Sequence, residues 1–380
     1  MPLSTSGRFI VDAKGNRVRL AGINWYGANE DFGLPPGLDR VSRVALAKTI
    51  AGFGFNCVRF PFSLWMTEQT APVPAQYLAA NTDLAGSTPM QVYDACVKAL
   101  TDEGLIVIPN CHLLFRGWCC VDADNNGLWF NDNWPATKFF SAWQDMATRY
   151  ASNPLVAAMD IKNEPRPATV GGKVVQPSWG TGDQADFAAM YTQAGNLIHA
   201  INPDPLIICE GLSYACDLTG VLTNPVALDQ PGKVVYSMHD YSWFHPQGQS
   251  AAAYAEKMNE AGGYLVSEQI APLWIGECGN STGSSANFGL ASSGGDDTPA
   301  GVWWTNFQAW VTENDIDWCY WALNPLHGQA TTPVTNQLQY HWGDSEPYGL
   351  LAEDWSSVAN PAVMTMLQEM IKPSTGPGVN

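Results

Sequence analysis

The sequence predicts a closed (β/α)8 barrel, an expectation that rests on strand rhythm, helix rhythm and loop length. Eight short apolar runs recur along the 380 residues, at 20–24, 57–62, 105–112, 156–164, 206–210, 234–241, 273–277 and 318–323. They are apolar on both faces, as strands of a parallel sheet are when helices cover it. Helical patterns fill nearly every interval, at 40–53, 90–103, 137–150, 186–201, 251–270 and 302–312, and only 215–233 is poor in them. An open doubly wound sheet would carry a glycine fingerprint after its first strand, and Gly22-Ile23-Asn24-Trp25 is not one.

Ahead of the first run, Arg8-Phe9-Ile10-Val11 and Val18-Arg19-Leu20 flank Lys14-Gly15-Asn16 and predict an N-terminal β-hairpin. Connections from helix to strand are brief, as at 101–104 and 152–154. Those from strand to helix are long, at 113–135, 165–184, 278–300 and 324–360. Long insertions at one end build a cleft over the carboxyl ends of the strands, where barrel sites lie. No boundary interrupts residues 1–371, so one domain is expected, with the Pro/Gly/Ser/Thr-rich 372–380 as a tail or linker stub.

Acidic residues number 36 against 18 basic, a formal charge of −18, which argues against a nucleic-acid partner. No apolar stretch is long enough to span a membrane. The start, MPLSTSGRF, lacks a basic region followed by an apolar core, so either a cytosolic protein or a mature chain is expected. Nine cysteines and the sequon Asn280-Ser281-Thr282 lean towards a secreted, disulfide-bearing protein. Cys119-Cys120, in a long loop, are expected to join structural disulfides. A monomer is the expected state.

The polar residues closing the apolar runs would ring one mouth: Asn24-Trp25, Arg59, His112, Asn163-Glu164, Glu210, His239 with Tyr241, Glu277 and Trp321. Two carboxylates there, Glu164 and Glu277, suit sugar chemistry. One protonates a departing oxygen and the other attacks the anomeric carbon, at a separation of roughly 5–5.5 Å. Glu164 is expected to titrate above the ordinary range because the charge of Glu277 lies close. Arg59 would hold a nucleophilic carboxylate ionised. Asn163 would bond a sugar hydroxyl, and His112 and His239 would touch substrate. Glu210 is read as hydrogen-bonded support. Sixteen tryptophans supply platforms for pyranose rings, with Trp321, Trp25, Trp129, Trp179, Trp243 and Trp342 placed at the mouth. No His-x-His pair sits on the first strand, and neither a metal nor a cofactor is expected. The Gly/Ser-rich 280–295 has no cation for a phosphate and reads as a cleft wall.

These residues carry a resemblance. Asn163-Glu164-Pro165 resembles the acid/base motif of glycoside hydrolase family five, the cellulase family, and Trp274-Ile275-Gly276-Glu277-Cys278-Gly279 resembles its nucleophile strand. Arg59-Phe60-Pro61, His112, His239-Asp240-Tyr241 and Trp321 match its other active-site positions in order. Gly22-Ile23-Asn24-Trp25, Gly127-Leu128-Trp129-Phe130 and Tyr348-Gly349-Leu350-Leu351 before Asp354-Trp355 are similar to its endoglucanase branch. Cys278 and Asn110 depart from the residues usual there, and neither removes a catalytic group. The resemblance implies a retaining endo-β-1,4-glucanase acting on an oligosaccharide or polysaccharide. The family also holds enzymes of mannan, diglycosides and glycosylceramides, and the contrasting expectation is a silent carbohydrate-binding barrel.

Overall fold

The computed structural model describes residues 1–290, 298–331 and 339–371. The side chain of Trp342 and the expected tail at 372–380 lie outside the described residues.

Two short strands, β1 (Ser4–Ser6) and β2 (Phe9–Val11), form an antiparallel hairpin. The expected hairpin is thus displaced by one arm. After β2 the chain turns again at Asp12, whose carboxylate accepts the N–H groups of Lys14 and Asn16, both at 2.8 Å. That Asx-type turn returns the chain, but only Val11 and Arg17 pair across it.

The barrel strands are β3 (Ala21–Asn24), β4 (Cys57–Ser63), β5 (Ile106–Leu113), β6 (Ala158–Asp160), β9 (Leu206–Glu210), β10 (Val234–Asp240), β11 (Leu273–Cys278) and β12 (Asp317–Tyr320). A side hairpin, β7 (Ala168–Val170) and β8 (Lys173–Val175), interrupts the count. The eight close in sequential order, each parallel to its neighbours, with β12 against β3. The expected barrel is what forms.

Side chains alternate along each strand, and the alternation sorts them. Outward residues such as Val58, Phe60, Val107, Ile207, Tyr236 and Ile275 join the core beneath the helices. Inward residues Cys57, Ile106, Ile108, Leu206, Ile208 and Trp274 fill the barrel, and Leu3, Ile10 and Val18 of the N-terminal segment plug its lower end. Truncating an inward ring such as Trp274 should cost about 3–5 kcal/mol. One step further along the strands, the inward positions become Arg59, Asp160 and Glu210. All are buried.

Helix ends are chemically marked. Thr88 accepts the N–H of Gln91 while Gln91 accepts that of Thr88, a capping box ahead of the helix Pro89–Asp102. The pattern at 251–270 is not one helix. It runs Ala251–Met258, widens into a π turn at Asn259–Gly263, and resumes over Tyr264–Ser267. A Cβ on Gly262 would stand 2.4 Å from Met238 Sδ, and one on Gly263 would stand 2.9 Å from the Trp310 ring. Close packing at this pair is where the helix widens.

The fourth strand is shorter than the run at 156–164. Only Ala158–Asp160 joins the ladder, because the chain then leaves it towards Glu164, whose φ is +42°. A non-glycine residue in that region is rare and is held there by its surroundings.

Candidate active site

Arg59 organises the mouth of the barrel. Its guanidinium is fully buried. Nε donates to Asp160 Oδ2 at 2.7 Å; Nη1 donates to Glu277 Oε1 at 2.5 Å and Asn24 Oδ1 at 3.1 Å. Nη2 donates to Asn163 Oδ1 at 2.7 Å and Glu210 Oε1 at 2.9 Å. Five N–H groups thus meet five acceptors, on β3, β6, β9, β11 and the segment just after β6. Burial works against the cation, and Asp160, Glu277 and Glu210 overcome it.

Glu277 stands at the end of β11, where the register with β10 slips. Besides the Arg59 contact, its Oε2 accepts the hydroxyl of Tyr241 at 2.9 Å. Burial raises its pKa above the ordinary carboxylate value, against the pull of His239 and Arg59. Glu164 faces it with different neighbours. Its N–H donates to Glu210 Oε2 at 2.7 Å, its carbonyl accepts from Arg166 at 2.9 Å, and its Oε1 lies 2.9 Å from His239 Nδ1. Burial pushes the Glu164 carboxyl up to about 7 against the pull of Arg166, Arg59 and Lys162. Desolvation, rather than the expected charge of Glu277, leads that shift.

An oxygen of Glu164, an oxygen of Glu277 and a ring nitrogen of His239 all lie within 4.8 Å of one another. So close an approach of the two carboxyls is the arrangement retaining pairs need, whose separation is roughly 5–5.5 Å. One carboxyl is thus anchored to a cation, and the other holds a proton near neutrality.

Both carboxylates open into a cavity of about 530 Å³. Trp321, Tyr241, His112, Trp243 and Trp118 line it. Trp321 stacks on Tyr26, with centroids 4.4 Å apart and planes at 12°, and lies beside the His112 ring. Glu346 braces this stack: Oε2 accepts the Tyr26 hydroxyl at 2.5 Å, Oε1 accepts the Tyr348 N–H at 3.0 Å, and the Trp321 side chain bonds to it.

Several sequence expectations need correction. Trp25 is not at the mouth: it is fully buried against Phe60, and its indole N–H donates to the Pro36 carbonyl at 3.3 Å. Trp129 and Trp179 are core rings, packed on Phe187 and on Tyr191 respectively. His239 does not reach the cavity wall but sits buried between the two carboxylates. Asn163 gives its oxygen to Arg59, and its amide faces the sulfurs of Cys119 and Cys120 at 3.5 and 3.6 Å. Those two sulfurs touch each other instead of reaching to distant partners, and the other seven cysteines are unpaired. Glu210 is hydrogen-bonded support, as expected.

The sequence reading missed Asp160, Glu346 and Trp118. Asp160 carried a signal, being a carboxylate inside an apolar strand, which demands a buried partner. Lys162 carried the same signal; its ammonium donates to the carbonyls of Asn163 and His112 at 2.9 and 3.4 Å, and burial lowers it to about 8. Glu346 and Trp118 lie in loops without periodicity, and nothing in the sequence marks them.

A (β/α)8 barrel with two close, differently partnered carboxyls in an aromatic cleft is a glycoside hydrolase. The chain belongs to the family Cellulase (glycosyl hydrolase family 5), whose sequence profile matches residues 11–327. It is similar to an endoglucanase of Paenibacillus polymyxa, 28% identical over 388 residues that span 97% of this chain and 87% of that one. A glycosyl hydrolase 5 family protein of Chamaecyparis obtusa is 30% identical over 410 residues, 99% of this chain and 67% of that one. The major extracellular endoglucanase of Xanthomonas campestris is 28% identical over 215 residues, covering 55% of this chain and 40% of that one. The fold matches the endocellulase of Pyrococcus horikoshii in its complex with cellotetraose, with TM-score 0.77 and 22% identity over 98% of this chain and 99% of that one.

Proposed function

We propose that the chain is a retaining endo-β-1,4-glucanase with Glu277 as nucleophile and Glu164 as acid/base. The observation that carries this is the contrast between the carboxyls: Arg59 and Tyr241 grip Glu277, whereas Glu164 keeps a proton up to about 7. Glu277 attacks the anomeric carbon while Glu164 protonates the leaving oxygen; Glu164 then takes a proton from the water that frees the sugar. Arg59 and Tyr241 orient Glu277, His239 orients Glu164, and Trp321 and His112 contact the sugar. Both carboxylates with their partners speak against a silent binding barrel. The substrate class rests on the endoglucanase relatives and on cellotetraose in the fold neighbour.

Residues 1–371 form the catalytic unit in this reading, acting as a monomer. Action outside the cell is part of the proposal, supported by the extracellular Xanthomonas relative and by the composition. The test is hydrolysis of cellotetraose and a soluble cellulose followed by proton NMR. The β-anomer should appear first, with viscosity falling ahead of reducing-end release. First appearance of the α-anomer would overturn the retaining assignment.

A further inference from the structure

Cys119 and Cys120 line the same cavity as the catalytic carboxyls, and the proposed reaction makes no use of them. Their sulfurs and a ring nitrogen of His112 all lie within 4.8 Å of one another. Asn110 Oδ1 accepts from His112 Nδ1 at 2.8 Å, which leaves the ring's free lone pair on Nε2. A carbonyl-type acceptor behind a histidine is the usual outer partner of a metal-binding imidazole. Two thiolates and one imidazole form a soft donor set, suited to thiophilic cations and ill suited to magnesium or calcium.

We propose that Cys119, Cys120 and His112 form a site for a thiophilic divalent cation in the cleft wall, filled when the cysteine pair is reduced, and that its occupation blocks hydrolysis. Where the two sulfurs are joined, an external dithiol opens the bond by exchange, carries away the disulfide itself and leaves two thiols. The cation then displaces their two protons to solvent as it binds. His112 lies beside Trp321, with ring centroids 5.7 Å apart, so a cation there crowds the floor of the cleft.

Cadmium tests this on the whole chain. After treatment with a dithiol and desalting, one Cd²⁺ per chain should bind with a thiolate-to-cadmium ultraviolet band. Hydrolysis should fall by about tenfold or more, the consequence of about 1.4 kcal/mol or more lost at the transition state. A chelator should reverse both. Cys120→Ser should weaken binding by at least about ten- to a hundredfold, the loss expected for even an outer partner. The Cys119→Ser/Cys120→Ser chain should lose the band and, whatever its starting rate, resist cadmium. Cys216 is the other thiol that is not fully buried, and Cys216→Ser should keep the band. No band in the reduced parent, or an unchanged band in the double variant, would overturn the site. The inhibition rests on the proposed hydrolase activity; the band does not, so the two readings fail separately.

Discussion

His239 Nδ1 lies 2.9 Å from Oε1 of Glu164. The same nitrogen is 3.6 Å from Oε2 of Glu277, and burial lowers the imidazole to about 4. Above that value the ring is neutral, so its pull on Glu277 fades and it adds no cation to Glu164. Glu277 instead receives the permanent charge of Arg59. Pairs of acids with environments this different divide their labour as donor and nucleophile.

Glu277→Gln should reduce turnover by several orders of magnitude, because an amide cannot form the glycosyl–enzyme bond. The fold should survive, since Arg59 keeps Asp160 and Glu210. Turnover near the parent rate, with unchanged circular dichroism, would remove Glu277 from the nucleophile's role.

Glu164→Ala should still load substrates that carry a good leaving group, because acid help is then dispensable. Azide should rescue release and give the β-glycosyl azide. An accumulated intermediate that azide cannot discharge would count against Glu164.

The pH–rate profile should be bell-shaped, with its upper limb near the value of about 7 held by Glu164. The measured values belong to the coupled pair. Stability should follow in a defined direction. Glu164 binds its proton more tightly folded, near 7, than at its ordinary 4.5, so this contribution is full below 4.5 and lost as pH rises through 7. The loss amounts to at most about 3 kcal/mol. Glu164→Gln lacks it. The Tm of the variant minus that of the parent should climb between those two values and level off above; a difference independent of pH would contradict the raised pKa.

What the sequence revealed, and what it hid, follows from the period of two in the strands. Arg59 interrupts an apolar run and Glu164 and Glu277 close theirs, and a charge at such a place must find a partner inside the mouth. The run at 206–210 forms a strand over those same residues, Leu206–Glu210. Tryptophans at the mouth were not separable in this way. Trp25 directly follows a strand yet turns into the core, while Trp118, in a loop, is 47% exposed at the cavity. The path of a long loop decides which way such a ring points, and no local pattern encodes that path. Asp160 was legible in principle. Glu346 was not, because its role exists only once Tyr26, Trp321 and Tyr348 are brought together.

Trp321→Ala separates a sugar platform from a core ring. Trp321 is only partly buried, lines the cavity, and has Tyr26 stacked on it with Glu346 bracing both. If sugar stacks on it, its loss should cost about 1–3 kcal/mol of binding, taking base–aromatic stacking as a proxy. That lowers kcat/KM by roughly ten- to a hundredfold. Glu346 and Tyr26 would stay hydrogen-bonded to each other, so Tm should fall far less than for a fully buried ring, where about 3–5 kcal/mol is usual. Both quantities are measured on one variant. A large drop in Tm with parental kcat/KM in the folded fraction would make Trp321 a packing residue and move the sugar's floor elsewhere in the cleft.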